Sequence, residues 1–267
     1  MRYRTLGPGG PVVSAIGLTA RSFLDDYGRP DGTVAHTVLS ELSGVDLIDL
    51  TGAERAEPVI GEALRGRRDQ FTLVASAPPG DPVRACAATL RRLRTDHLDV
   101  YHVAPHQLDA ATPLIAAGMV GHLGLAGVDP DRLSALCDGY PVVTVAAEYS
   151  LIHREPEREL LPAAAALGLG VLAGRPLGLG RLTDADHRWS ALEEMAATLQ
   201  LSVVRLVLAW VLARGERIVA LPATQSVTHL EMNASAADLD LGATDIARLS
   251  ALFPLDTPTG TGGASIA

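Results

Sequence analysis

Between residues 72 and 103 the chain reads Thr72-Leu-Val-Ala75, then Asp81-Pro82, then Val83-Arg-Ala-Cys-Ala-Ala-Thr-Leu-Arg-Arg-Leu-Arg94, then Val100-Tyr-His-Val103. The first and last pieces are short apolar runs, and the middle piece carries apolar residues at helical spacing. An acidic residue followed by proline is a helix start, because the carboxylate accepts from first-turn N–H groups and proline needs no hydrogen bond there. Two apolar runs joined by a helix-length crossover describe parallel strands covered by helices.

The same unit recurs along the chain. Strand candidates are Val13-Leu18, Leu47-Leu50, Thr72-Ala75, Val100-Val103, His122-Leu125, Val142-Ala146, Gly170-Ala173 and Arg217-Leu221, each followed by a helix-like stretch. Asp129-Pro130 repeats the start signal before Asp131-Leu136. Eight units predict an α/β fold that closes as a (β/α)8 TIM barrel. Tyr3-Leu6 and Val12, separated by Gly7-Pro-Gly-Gly, predict a hairpin that closes the bottom of that barrel. Residues 1–255 are expected to form one barrel domain, and 256–267, with its Thr257-Pro-Thr-Gly-Thr-Gly-Gly, a disordered tail.

Composition removes several classes of function. Apolar residues make 48% of the chain and charged residues 20%, as in soluble globular proteins. The formal charge of -9 disfavours a nucleic-acid partner, whose phosphates are met by clustered basic residues. No apolar run has the length of a membrane span, and Met1-Arg-Tyr-Arg-Thr has no apolar signal core, so a cytoplasmic protein is expected. Cys86 and Cys137 read as isolated thiols, and no cluster has metal-ligand spacing. All 22 basic residues are Arg, which removes every mechanism that needs a lysine amine, Schiff-base chemistry included. An all-arginine basic complement with abundant Ala, Gly and Leu suggests a GC-rich genome and a bacterial specialised pathway. Composition leaves the oligomeric state open.

Barrel chemistry lies at the carboxyl ends of the strands. That places Thr19 to Arg21, Asp49, Ser76, Ala104 to His106, Ala126, Ala146 to Glu148, Arg175 and Thr224 to Ser226 at the mouth. A small-molecule substrate is the expected ligand there.

Tyr3-Arg-Thr-Leu-Gly, Val13-Ser-Ala-Ile-Gly-Leu, Leu93-Arg-Thr-Asp-His-Leu-Asp-Val-Tyr101, Leu160-Leu-Pro, Pro176-Leu-Gly and Leu206-Val-Leu-Ala-Trp210 appear in an order and spacing that resembles the aldo-keto reductase family. The likeness runs from the first hairpin to about Leu252. The resemblance implies an Asp, Tyr, Lys and His tetrad that protonates a carbonyl while nicotinamide delivers hydride. Matched position by position, only Asp49 is kept. The segment from Leu50 to Arg55 holds no Tyr, Ser76 falls at the lysine and Ala104 at the histidine. Ala126-Gly127 and Ala146 match the residues that hold the nicotinamide amide, and Gly174 matches the tyrosine that stacks on its ring. On the other side of the dinucleotide, Pro176-Leu177-Gly178-Leu179-Gly180 resembles the pyrophosphate loop, Gln225 stands where a basic residue meets the 2′-phosphate, and Asn233 matches the adenine-side Asn. The implied cofactor is therefore NADP or none.

The remaining polar residues each have two readings. Asp49 is a general base or a structural hydrogen-bonding group held ionised by Arg21 or Arg175. His106 is a relocated acid or base, or an exposed loop residue. Arg175 clamps an anionic ligand group or fills the vacated pocket. Tyr27, in the first loop, could swing over the mouth as a proton donor, and Glu148, Ser76 and Arg21 are substrate-binding candidates. His102 and His122 alternate with apolar residues and are expected in the core or at the bottom face. Three functions follow: a repurposed enzyme of proton transfer (dehydration, isomerisation or cyclisation) built on Asp49, His106 and Arg175; an NADPH-dependent reductase with a rearranged site; and a non-catalytic partner.

Overall fold

The computed structural model describes residues 1–42, 44–178 and 187–255. Leu179 and Gly180 of the expected pyrophosphate loop, and the expected tail, lie outside them. Tyr3–Thr5 (β1) and Val12–Ser14 (β2) pair antiparallel with Tyr3 opposite Ser14. Gly7, at the turn, has φ 74°, and a Cβ there would stand 2.1 Å from the Val143 carbonyl oxygen, so no other residue fits. Leu6 and Val13 carry the hairpin into the barrel, where they pack with Leu47, Val74, Val100, Leu172, Val219 and Leu221 in an apolar plug.

Eight parallel strands surround that plug: Leu18–Thr19 (β3), Leu47–Asp49 (β4), Thr72–Ser76 (β5), Leu98–Val103 (β6), Val120–Ala126 (β7), Val142–Glu148 (β8), Gly170–Gly174 (β9) and Ile218–Leu221 (β10). Each pairs with the next in sequence order. The two edges meet through the Ile16–Ala220 bridge, with Gly17 N donating to Ala220 O (2.9 Å) and Ala220 N to Ala15 O (3.1 Å). The stretch expected as one first strand, Val13-Leu18, is divided. Its first residues pair in the hairpin, Ser14 N donates to Asp46 Oδ1 (2.7 Å) and Ser14 Oγ to Ile16 O (2.7 Å), and the chain turns there before joining the barrel.

The surrounding helices are Gly32–Ser40 (α1), Glu57–Ala63 (α2), Pro82–Leu93 (α3), Leu108–Ala111 (α4), Pro113–Ala116 (α5), Pro130–Gly139 (α6), Leu160–Ala166 (α7), His187–Thr198 (α8), Val203–Ala213 (α9), Val227–Ser235 (α10) and Ala243–Leu252 (α11). Asp81 Oδ1 accepts from Val83 N (2.9 Å) and Arg84 N (3.2 Å), and Asp129 Oδ1 from Asp131 N (3.1 Å), so both acid-proline signals start helices. No single helix among the described residues is long and apolar enough to cross a membrane.

Strand period decides which residues reach the interior. On β6, Val100 joins the interior plug and His102 borders the mouth cavity, while Tyr101 turns outward and donates from its hydroxyl to Pro82 O at the start of α3 (3.0 Å).

One buried polar cluster ties the chain's last helix to the barrel. Glu157 accepts from Arg154 (2.7 and 2.8 Å), Tyr149 (2.8 Å) and Arg214 (3.0 Å), while Arg154 also donates to Ser250 O and Phe253 O, both at 2.7 Å. Burial works to raise the Glu157 pKa, but hydrogen bonds from Arg154 and Tyr149 outweigh it and hold the carboxyl below its ordinary value. Removing that charge leaves the buried Arg154 guanidinium without its carboxylate, while the exposed Arg214 turns to water. Glu157→Gln should lower stability by about 3 kcal/mol, read as a drop in the urea midpoint with unchanged slope. The contribution should be present above the ordinary glutamate range and fade as pH falls through the depressed folded value.

Candidate active site

A cavity of about 670 Å³ opens at the carboxyl ends of the strands, above the apolar plug. Asp49 stands in its wall at the last position of β4, 9% exposed. Its Oδ1 accepts from Thr51 N (3.2 Å) and from Thr51 Oγ1 (2.6 Å). Thr51 Oγ1 is in turn 2.9 Å from Ser76 Oγ. With Asp49 ionised, the Thr51 proton is committed to the carboxylate, so Ser76 donates to Thr51 and the chain of hydroxyls has one direction. Burial pushes the Asp49 carboxyl up to about 6, against the pull of the two Thr51 bonds, the Arg21 charge and the Thr19 hydroxyl.

Beside this chain, Ser76 on β5 is in register with His102 on β6, His102 with Gly124 on β7, and Gly124 with Thr144 on β8. His102 is 1% exposed and borders the cavity, so it belongs to the site and not to the bottom face. Its Nε2 is 2.8 Å from Thr144 Oγ1, and burial depresses its pKa to about 4, which keeps the ring neutral. His122 is the bottom-face histidine, with Nε2 3.0 Å from Gly9 O of the hairpin turn.

The mouth holds two cationic residues in different states. Arg175, at φ 53°, donates from Nη1 to Glu148 Oε2 (2.8 Å), so an ion pair spans the ends of β8 and β9. That left-handed backbone costs a non-glycine residue on the order of 1 kcal/mol. Arg21 forms no ion pair among the described residues and lies over Gly52, where a Cβ would stand 2.9 Å from its Nη1. Asp49, Arg21, Arg175, Glu148 and Leu177 thus share one cavity wall, with Ser76 bonded just behind it.

The other expected site residues are placed elsewhere. His106 is exposed on the Pro105–Gln107 turn and does not border the cavity, because Gln107 takes the inward position, accepting from Ala104 N (2.9 Å) and donating to Pro78 O (2.9 Å) and Gly80 O (3.1 Å). Tyr27 is 79% exposed on a turn pinned by Asp25, which accepts from Tyr27 N (2.9 Å) and Arg29 N (2.8 Å). Gln225 donates to Ser22 O (2.8 Å), Asn233 is buried on α10, and Gly178 N bonds back to Arg175 O (2.9 Å). His102 and Thr51 are the polar cavity residues that the sequence did not mark. Thr51 follows Asp49 by two residues and so shares its inward face, a spacing from which it was readable.

The wall where the resemblance places the nicotinamide amide is lined by small residues. Ala126, Gly127, Ala146 and Ala147 line the wall and offer no side-chain hydrogen bond, Gly174 offers no ring, and no Phe, Tyr or Trp among the described residues borders the cavity. No three His, Cys, Asp or Glu side chains among the described residues cluster as a metal site.

The Asp49 pKa carries a stability consequence of definite sign. Between the unfolded value near 4 and the folded value of about 6, the folded state holds a proton that the unfolded state has lost, so stability falls as pH rises through that window. The full cost above the folded pKa is roughly 3 kcal/mol. In Asp49→Asn this pH dependence should vanish, so that the variant gains on the wild-type protein between pH 4 and 8 in urea unfolding. Parallel curves would show that Asp49 ionises freely.

The Aldo/keto reductase family profile matches residues 43–253. A probable aldo-keto reductase of Glycine max is 25% identical, covering 96% of this chain and 90% of its own. The methylglyoxal reductase YeaE of Escherichia coli is 29% identical over 80% of each chain. A crystal structure of an aldo/keto reductase from Klebsiella pneumoniae in complex with NADP and acetate superposes with a TM-score of 0.83 at 31% identity, covering 95% of this chain and 96% of that one. A nearly closed barrel of eight parallel strands, a bottom-plugging hairpin and an acidic residue at the end of the second barrel strand converge with these likenesses, and the chain belongs to the aldo/keto reductase family.

Proposed function

We propose that the barrel binds a small organic molecule over Asp49 and moves protons on it, in the class of dehydrations, isomerisations or cyclisations, without hydride transfer. The observation that carries this reading is the buried Asp49 carboxyl, whose pKa of about 6 lets it take and return a proton near neutral pH. Thr51 fixes the carboxyl in place, and Arg21 and the Glu148–Arg175 pair hold polar substituents of the ligand at the mouth. The wall formed by Ala126, Ala146, Leu172 and Leu221 is aliphatic and keeps water from the reacting atoms.

A second reading, reduction of a carbonyl with NADPH, is favoured by the Klebsiella pneumoniae relative bound to NADP. Against it stand the chain's lack of lysine and the bare wall where the amide would be held. One pair of measurements separates the two. Incubated in D2O with a panel of small hydroxycarbonyl compounds and no cofactor, the wild-type protein should place deuterium in one of them, and Asp49→Asn should slow this at least about a hundredfold. The rate should climb with pH through about 6 as the base ionises. Saturable NADPH fluorescence with cofactor oxidation, and no deuterium uptake, would establish the reductase instead.

A further inference from the structure

His102 replaces no polar group of the tetrad and lies one turn of the pleat below the position of Ala104, yet its ring borders the cavity. Space for the ring comes from the neighbouring strand: a Cβ on Gly124 would stand 1.9 Å from Cδ2 and 2.4 Å from Nε2. The edge bearing Cδ2 and Nε2 therefore faces Gly124 and Thr144. The edge bearing Nδ1 is turned away from Gly124, and the strand on the other side of His102 is β5, where Ser76 stands in register with it and begins the hydroxyl chain to Asp49.

The tautomer follows from Thr144. Its side chain is fully buried, and His102 Nε2 is its one hydrogen-bond partner among the described residues. Were Nε2 to carry the proton, the Thr144 hydroxyl hydrogen would be left without an acceptor in a dry interior, a costly arrangement. Thr144 therefore donates to Nε2, and the proton of the neutral ring sits on Nδ1. Nδ1 itself makes no hydrogen bond to any described residue.

We propose that His102 is a catalytic residue that presents Nδ1–H to a ligand oxygen on the cavity floor, so that the substrate lies between this donor and the Asp49 carboxylate. The inference rests on the proton-transfer reading above and names its substrate class: a molecule with an acidic C–H next to an oxygen that can take up negative charge. Asp49 removes the proton from carbon, the C–H electron pair moves into the C–C bond, and the carbonyl pair moves onto oxygen. The resulting enolate oxygen is held by Nδ1–H. Where a C=C bond is conjugated with the enolate, the carboxylic acid then returns its proton to the far (γ) carbon as the carbonyl re-forms, completing a double-bond isomerisation. Where a hydroxyl stands β to the carbonyl, the acid protonates it, the carbonyl re-forms and the hydroxyl leaves as water. Atoms and charge balance without any further reactant, and a neutral imidazole serves as a stationary donor throughout.

The test uses protein labelled with 15N at its 8 histidines, the His102 signals being those lost in His102→Gln. In the free protein, His102 should show a protonated Nδ1 and a bare Nε2, and Thr144→Val, which removes the hydroxyl while keeping the ring, should mix the tautomers. Acetohydroxamate, a small enediolate mimic, should shift Nδ1–H downfield and move the Asp49 carboxyl carbon. Its affinity should fall at least tenfold in His102→Leu and largely recover in His102→Gln. A protonated Nε2 in the free protein overturns the inference, whether or not the leucine variant folds. Equal affinity of wild type and His102→Leu, with the Asp49 carbon still responding, removes His102 alone and leaves the role of Asp49 standing. No response at Asp49 removes the proton-transfer reading itself.

Discussion

A carboxyl group taken out of water must find compensation, and the kind of compensation sets its chemistry. Asp49 finds hydroxyl and amide donors on one oxygen and a guanidinium at the rim of the cavity, but no cation in hydrogen-bond contact. Donors of that strength reduce the desolvation cost without cancelling it, which is why the pKa settles at about 6 and not in the ordinary carboxylate range. A lysine at position 76 would place an ammonium next to the hydroxyl chain and hold Asp49 ionised across the physiological range. Ser76 instead extends the chain by one neutral link.

The surroundings are consistent with that choice. Small residues at 124, 126, 127, 146, 147 and 174 leave the interior open above the plug, and the His102 ring is admitted into the space beside Gly124. A glycine opposite a histidine is the barrel's usual large-beside-small packing, here used in a layer that a ligand can reach. At the rim, Glu148 pairs with Arg175, while Arg21 forms no ion pair among the described residues.

Much of the fold was legible because strand period, acid-proline starts and helix-length crossovers are local signals: Asp81 and Asp129 cap the helices that their sequence announced. The first strand was misread because its division depends on Ser14 meeting Asp46, a contact between segments 32 residues apart. Asp49 was legible from its place at a strand end. His106 and Tyr27 were marked by nearness in sequence to a mouth position, but nearness does not give direction. Gln107 secures the inward side of its turn, and Asp25 pins the loop of Tyr27 facing water. His102 went the other way: a histidine alternating with apolar residues reads alike at either depth of a barrel. Only its register against Gly124 and Thr144 places it at the cavity.

Charge accounting within the cavity links these features. Among the described residues the cavity lining carries Asp49 and Glu148 against Arg21 and Arg175, a balance that is neutral when Asp49 is ionised and one net positive charge when it is protonated. Moving a proton from a ligand carbon to Asp49 neutralises the carboxylate and leaves the negative charge on the ligand. The net charge within the cavity does not change with that transfer. A site that began with a fully ionised, cation-locked Asp49 would resist that exchange, because the proton would have to leave the ligand for a carboxylate with little affinity for it. The absence of lysine and the raised pKa of Asp49 are in this sense one property: with no ammonium beside it, the buried carboxyl keeps its affinity for a proton.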